Sequence, residues 1–213
     1  MRSANVTGHR PNKLWGYNYN EAHWLKLKDM FKEMLVRLGI TDAYSGMALG
    51  VDTVFAMAVL ELKQEGYDIK LHASIPCNMQ CSQWPETSQK IYYNLLSQAD
   101  EIIGMSEENP TGYEKLQLFT IKNNLTGKDE YILLKSDAIA GVDFNTMPLS
   151  SNMMYLQVYK PYLMQNRNEH MVNNSEDCIA VWDGTSGGTG NCVKYAQRVG
   201  KNVIRIHPAD VIV

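Results

Sequence analysis

The feature that most constrains this chain is an alternation in which short β-prone runs pass into helical segments through glycine-rich loops. Asn5-Val6 runs into Thr7-Gly8-His9-Arg10-Pro11, and Ala43-Tyr44 runs into Ser45-Gly46-Met47-Ala48-Leu49-Gly50. Further on, a run from Asp177 to Trp182 enters Asp183-Gly184-Thr185-Ser186-Gly187-Gly188-Thr189-Gly190. Between the first two loops, Trp24, Leu27, Phe31, Met34, Leu35 and Leu38 fall on one helical face. That helix is expected from about Glu21, capped by Asn20 and stopped at Gly39. Strands alternating with helices call for a mostly parallel sheet with helices on both faces. The expected fold class is therefore α/β and Rossmann-like.

The rest of the chain mostly keeps this rhythm. A helix from Val51 to Glu65 is apolar almost all round, which implies burial between other elements. A strand at Lys70-Leu71-His72-Ala73, a helix from Glu86 to Ala99 and a strand at Glu101-Ile102-Ile103-Gly104 follow. The rhythm fails between about Asn109 and Val158. There, strands at 115–121 and 131–134 flank a polar turn (Asn123, Asn124, Gly127, Lys128, Asp129) and read as a hairpin. The stretch is expected to be a hairpin-containing insertion, acting as a lid or an oligomer contact, on a single domain spanning residues 1–213. A homo-oligomer is the expected state.

Composition narrows the partners. With 20 basic against 23 acidic residues the net charge is −3, which argues against a nucleic acid held mainly by charge. No run approaches the roughly 18 apolar residues of a membrane helix. Met1 to Val6 leads directly into a strand, so no signal peptide and a cytoplasmic location are expected. Cys77 and Cys81 are spaced CxxxC, and Cys178 and Cys192 stand apart. That spacing suits neither a zinc ribbon nor a redox pair, even with His72 nearby, so the thiols are expected to be reduced and structural. No metal ion and no resident cofactor is expected.

Open parallel sheets bind ligands beyond the carboxyl ends of their strands, where the strand order reverses. The three loops are suited to an anion there. Gly8, His9 and Arg10 combine a close backbone approach with an imidazole and a bidentate guanidinium. Ser45, Gly46 and Gly50 lead into a helix N-terminus. Asp183, Gly184, Thr185, Gly187, Gly188 and Thr189 offer successive amides and hydroxyls. Tight turns explain either of the first two loops taken alone, but four glycines in eight residues exceed what a turn requires. The third loop lacks the lysine of a P-loop, and Val193 stands where a dinucleotide fingerprint needs its last glycine.

Asp52 and Asp183 are the candidate catalytic carboxylates, although Asp52 in a first helical turn also reads as a cap. Arg167 and Asn168 are a candidate pair for phosphate and sugar. Trp84, Tyr92 and Tyr93 are candidates to stack a base, with core packing as the competing reading.

Together these blocks resemble the YpsA-like branch of the SLOG superfamily, whose relatives include the LOG phosphoribohydrolases and DprA. The resemblance rests on Val6 to Pro11, Ser45 to Asp52, Ile75-Pro76-Cys77 with Gln80 and Trp84, Arg167-Asn168 with Met171-Val172, and Ile179 to Gly184 with Gly187-Gly188-Thr189. It implies a Rossmann-like domain that binds a nucleotide or nucleotide-derived ligand at the three loops. Aligned on the LOG motif, the chain has Val193 where the catalytic glutamate would stand. An N-glycosidase would then need Asp52, Asp183 or Glu169 as its acid. The leading expectation is a binding or sensing protein for a phosphorylated nucleotide-derived small molecule. An N-glycosidic or phosphoribosyl hydrolase is the alternative, and a DNA-binding protein stands last.

Overall fold

Strands β1 (Arg2–Gly8), β2 (Ile40–Ser45), β3 (Lys70–Ile75) and β4 (Glu101–Met105) line up side by side in parallel. The computed structural model describes residues 1–106, 112–123, 126–144 and 149–213. After β4 the chain turns back in an antiparallel hairpin, β5 (Tyr113–Lys122) and β6 (Asp129–Lys135), which extends the same sheet. It then crosses to the far side of β1 and adds β7 (Asp177–Val181) and β8 (Asn202–Ile206), both parallel to β1. The eight strands run β6-β5-β4-β3-β2-β1-β7-β8. The order therefore reverses between β1 and β7, where a doubly wound sheet opens its crevice.

Helices α1 (Ala22–Leu38), α2 (Val51–Gln64) and α3 (Glu86–Leu96) cover one face. Helices α5 (Pro161–Asn173) and α6 (Gly188–Arg198) cover the other, and a short α4 (Ser136–Ile139) follows β6. The pleat of β7 shows the division: Ile179 and Val181 join the large core with α1 and α2, while Cys178 packs with Cys192 and Ala196 of α6. As its sequence requires, α2 is buried nearly all round, between the sheet and α1. Phe31 and Phe55 meet edge to face at 5.3 Å across α1 and α2, a geometry worth about 0.5–1.5 kcal/mol beyond area burial.

Some boundaries differ from expectation for local reasons. The N-cap of α1 is Glu21, whose carboxylate accepts the His23 amide at 3.1 Å. Asn20 instead belongs to the preceding turn, its amide donating to Asn18 Oδ1. Helix α3 stops at Leu96, three residues short of the expected end, and the Asp100 amide then donates to Leu71 O at 2.9 Å as the chain leads into β4. The hairpin strands are longer than their sequence runs. Asn124 of the expected turn and Asn109, where the irregular stretch begins, lie outside the described residues.

Two contacts fix the segment that leads back towards the crevice. Tyr93 and Tyr131 stack at 4.1 Å, fastening β6 to α3. Buried Tyr155 donates its hydroxyl to Met105 O at 2.7 Å, at the end of β4. On the other side of the reversal, the Arg2 guanidinium clasps buried Asp177 through Nε and Nη2 at 2.8 and 3.1 Å, which sets β1 beside β7.

Candidate functional site

The carboxyl ends of β1 and β7 open into a cleft of about 310 Å³. One wall is the loop after β1: Thr7, Gly8, His9 and Arg10, with Lys13 from the 3-10 turn that follows. A Cβ at Gly8 would stand 2.4 Å from Val51 Cγ2, so only glycine lets β1 run this close to the start of α2. His9 is buried, and its Nε2 lies 2.7 Å from Asp183 Oδ1. The first and third loops are joined by this contact.

Asp183 does not line the cleft; it organises the two loops that do. The same oxygen accepts the Thr185 hydroxyl at 2.7 Å and the Thr185 amide at 2.9 Å. These donors, with His9, hold the Asp183 carboxyl well below the usual carboxylate range. All three contacts fall on Oδ1 and hold the carboxylate in its charged form, so in this arrangement Asp183 positions the first and third loops. Gly184 also lies outside the lining, with a φ of 99° that starts the turn. Thr185, Ser186, Gly187, Gly188, Thr189 and Gly190 form the opposite wall. Helix α6 begins here with Gly187 as N-cap, which has no side chain to close the first-turn amides. Trp182 braces the loop from behind, donating Nε1 to Thr185 O at 2.7 Å.

The second loop behaves differently from its sequence reading. Ser45, Gly46 and Gly50 are buried and lie outside the lining, and from this region the cleft takes Ala48 and Asp52. The loop's polar backbone groups are consumed internally. Met47 N donates to Ser45 Oγ, Ala48 N to Asp52 Oδ2 and Gly50 N to the Tyr19 hydroxyl. Gly46 O accepts Arg167 Nη1 at 2.8 Å and Gln80 Nε2 at 3.2 Å. A Cβ on Gly46 would sit 2.7 Å from Arg167 Cζ and 2.8 Å from Asp52 Oδ2, so Gly46 exists here to let those two side chains close over it.

Arg167 and Asn168 come from α5, are buried, and line the cleft. Asn168 Oδ1 accepts Arg167 Nη2 at 3.0 Å, orienting the guanidinium. Burial pushes the Asp52 carboxyl up, and Arg167 and Arg10 pull it back. Burial likewise lowers the Arg167 guanidinium, against the pull of Asp52. With Arg10, Lys13 and Arg167 around one cleft carboxylate, and the positive end of α6 facing in, the cleft favours an anion.

Trp84, Tyr92 and Tyr93 pack into the core around α3, so none of them reaches the cleft. Tyr159 is the Phe, Tyr or Trp side chain that does. Sequence reading missed it, with Lys13, Met164 and Met171. Lys13 carried a signal, two residues beyond Pro11; Tyr159 carried none. The four cysteines are buried and free. Among the described residues, no group of three or more His, Cys, Asp or Glu side chains is arranged to hold a metal ion. Nor is any helix among them long and apolar enough to cross a membrane.

Comparison with known proteins places this cleft in context. The SPbeta prophage-derived protein YoqJ of Bacillus subtilis is 27% identical over 190 residues, covering 86% of this chain and 89% of its own. A UPF0398 protein of Halalkalibacterium halodurans is 28% identical over 163 residues, covering 75% and 81%. Among solved structures, DprA of Streptococcus pneumoniae superposes with a TM-score of 0.51 at 14% identity, over 97% of this chain and 50% of that one. DprA of Helicobacter pylori, described for its single-stranded DNA binding mode, gives 0.52 at 14% over 96% and 64%. The chain thus spans half to two thirds of these DprA chains, and the likeness is one of fold. The model of the YspA SLOG family (YpsA) matches residues 4–143, which takes in the first two loops and stops short of α5 and the third. This chain, with its Rossmann-like sheet and looped crevice, belongs to the YspA SLOG family.

Proposed function

We propose that the cleft binds a phosphorylated, nucleotide-derived small molecule, and that the protein acts as its carrier or sensor. The observation that carries this reading is convergence at the strand-order reversal. The open first turn of α6, the Arg10 and Lys13 side chains and buried Arg167 all face one cleft. Backbone amides at a helix start suit phosphate oxygens, and arginine adds a planar bidentate partner. Family membership supports a ligand of this kind without naming it. A volume of about 310 Å³ lies at the small end of ligand pockets, which favours a compact ligand.

One observation favours the alternative of N-glycosidic hydrolysis. Asp52 is buried, faces the cleft, and has its carboxyl pushed up, the condition of a general acid. Its Oδ2 also accepts the Ala48 amide, which suits a purely structural role equally well. The single-stranded DNA binding mode described for the Helicobacter pylori DprA makes a single-stranded oligonucleotide the necessary third probe.

The test is to incubate the protein with nucleoside monophosphates, NAD, ADP-ribose and a short single-stranded oligonucleotide. Retained and released species are then read by liquid chromatography and mass spectrometry. The expected result is an intact small ligand retained by the wild type and weakened about tenfold or more by Arg10→Ala. Release of base or ribose phosphate, lost in Asp52→Asn, makes the protein a hydrolase instead. Retention of the oligonucleotide alone, falling steeply with salt, makes it a DNA-binding protein.

A further inference from the structure

Tyr159 is 60% exposed, yet it lines the cleft. A large aromatic left in water at the edge of a polar cleft has given up burial that the core would have provided. Its position is nevertheless fixed from both sides. Two residues before it, Gln157 O accepts the Asn78 amide at 3.2 Å. Two residues after it, Pro161 starts α5 with its φ already set for a helix. Further back, Tyr155 is pinned by its hydroxyl to Met105 O at 2.7 Å. The backbone is thus held while the ring stays open to a partner, and among the described residues no ring contact to another aromatic residue engages it.

The rest of the lining gives the ring its role. The walls made by the first and third loops are amides, hydroxyls, an imidazole and cations, groups that recognise an anion or a sugar. None of them offers a flat apolar surface. Tyr159 does, and Met164, in the first turn of α5, adds a polarizable apolar side chain to the same lining. We infer that Tyr159 is the platform on which the base of the ligand stacks. The phosphate lies at the start of α6, and discrimination between a nucleotide and a bare sugar phosphate resides in this one ring. The inference rests on the reading of the cleft as a phosphorylated-ligand site and adds the part of the ligand that reading leaves unnamed. It also replaces Trp84, Tyr92 and Tyr93, which the core has claimed.

Calorimetric titration of adenosine, guanosine, cytidine and uridine 5′-monophosphates and of ribose 5-phosphate tests it. Stacking one base on an aromatic ring is worth roughly tenfold in affinity, so the best monophosphate is expected to bind at least about that much more tightly than ribose 5-phosphate. Tyr159→Ala is expected to close that gap, Tyr159→Phe and Tyr159→Trp to keep it, and ribose 5-phosphate to bind all four proteins alike. Equal binding of ribose 5-phosphate and the monophosphates by the wild type overturns the inference while leaving the phosphate site standing. So does a Tyr159→Ala loss shared equally by every probe, which would mean the ring supports the cleft rather than a base. If no probe binds the wild type, the reading of the cleft fails and the inference falls with it. An exposed side chain can be truncated without opening the core, and an unchanged melting temperature for Tyr159→Ala confirms that folding is not what was measured.

Discussion

The second and third glycine-rich loops resemble each other in sequence and differ in almost everything physical. Residues 45–50 are all buried, and side chains from Ser45, Asp52, Tyr19, Gln80 and Arg167 answer their backbone groups. Residues 184–188 are exposed, and the helix they begin has a glycine for a cap. One loop spends its glycines on close packing, with Gly46 wedged beneath Arg167 and Asp52. The other spends them on leaving amides accessible. A glycine-rich strand–helix loop is therefore not by itself a ligand signature; what decides is whether its amides have already been taken.

This contrast predicts opposite responses to substitution. The largest effect is expected from Arg167→Met, which strips the buried Asp52 of its main cationic partner. It also takes the guanidinium donors away from Gly46 O and Asn168 Oδ1, and buried acceptors left short of a donor cost about 1–3 kcal/mol each, read as a fall in unfolding free energy by urea denaturation. A loss below about 1 kcal/mol would mean that the second loop does not depend on the guanidinium. Gly46→Ala should follow, because its new Cβ collides with both Arg167 and Asp52. Overpacking of this kind costs about 1–3 kcal/mol, and a neutral result would show that the wedge has slack.

Helix α5, which delivers Arg167, carries a pH dependence. Burial pushes the His170 imidazole down to about 4, with His72 adding to the shift and Glu101 opposing it. Its ordinary value is near 6.5, so the unfolded chain takes up the proton first. Stability is then full above pH 6.5, falls as the pH drops from 6.5 towards 4, and levels off below. With the ring partly exposed, the loss should reach about 1–2 kcal/mol. His170→Gln should flatten that limb of the melting-temperature profile; an unchanged slope would assign it to other groups.

The smallest stability effect belongs to the third loop. A Cβ added at Gly188 meets nothing within 4 Å, so Gly188→Ala should leave stability within about 0.5 kcal/mol. It should still weaken ligand retention, since the methyl enters the cleft wall. Unchanged retention in that variant would count against the third loop as the phosphate cradle.

Much of the fold was legible because its signals are local. The apolar stripe of α1 and the stop at Gly39, where φ is 65°, follow from helical periodicity and the left-handed tolerance of glycine. The near-total burial of α2 follows from its composition alone. That Thr7 to Arg10 and Thr185 to Thr189 lie near one another was readable, because strand–loop–helix units of this type place such loops at one edge of a parallel sheet. Three assignments were not readable. Asp183 looks like a free carboxylate until His9 and Thr185 are seen to occupy it. Ser45, Gly46 and Gly50 look like a phosphate loop until Arg167 and Gln80 are seen to fill it. The stacking aromatics looked like Trp84, Tyr92 and Tyr93, whose spacing gives no hint of which face the core takes.

The sequence by itself determined the alternation of strand and helix, the stop of α1 at its glycine, and the glycine-rich loops that join strand to helix. Each of those follows from the conformational range and hydrophobic period of a few neighbouring residues. Only the tertiary structure decided that β7 lies against β1, that Arg167 reaches 121 residues back to Gly46, and that Tyr159 arrives at the cleft mouth. Those outcomes depend on how the crossover after the hairpin returns the chain across the sheet. Contacts of that range arise from packing and topology, which no local stretch of sequence encodes.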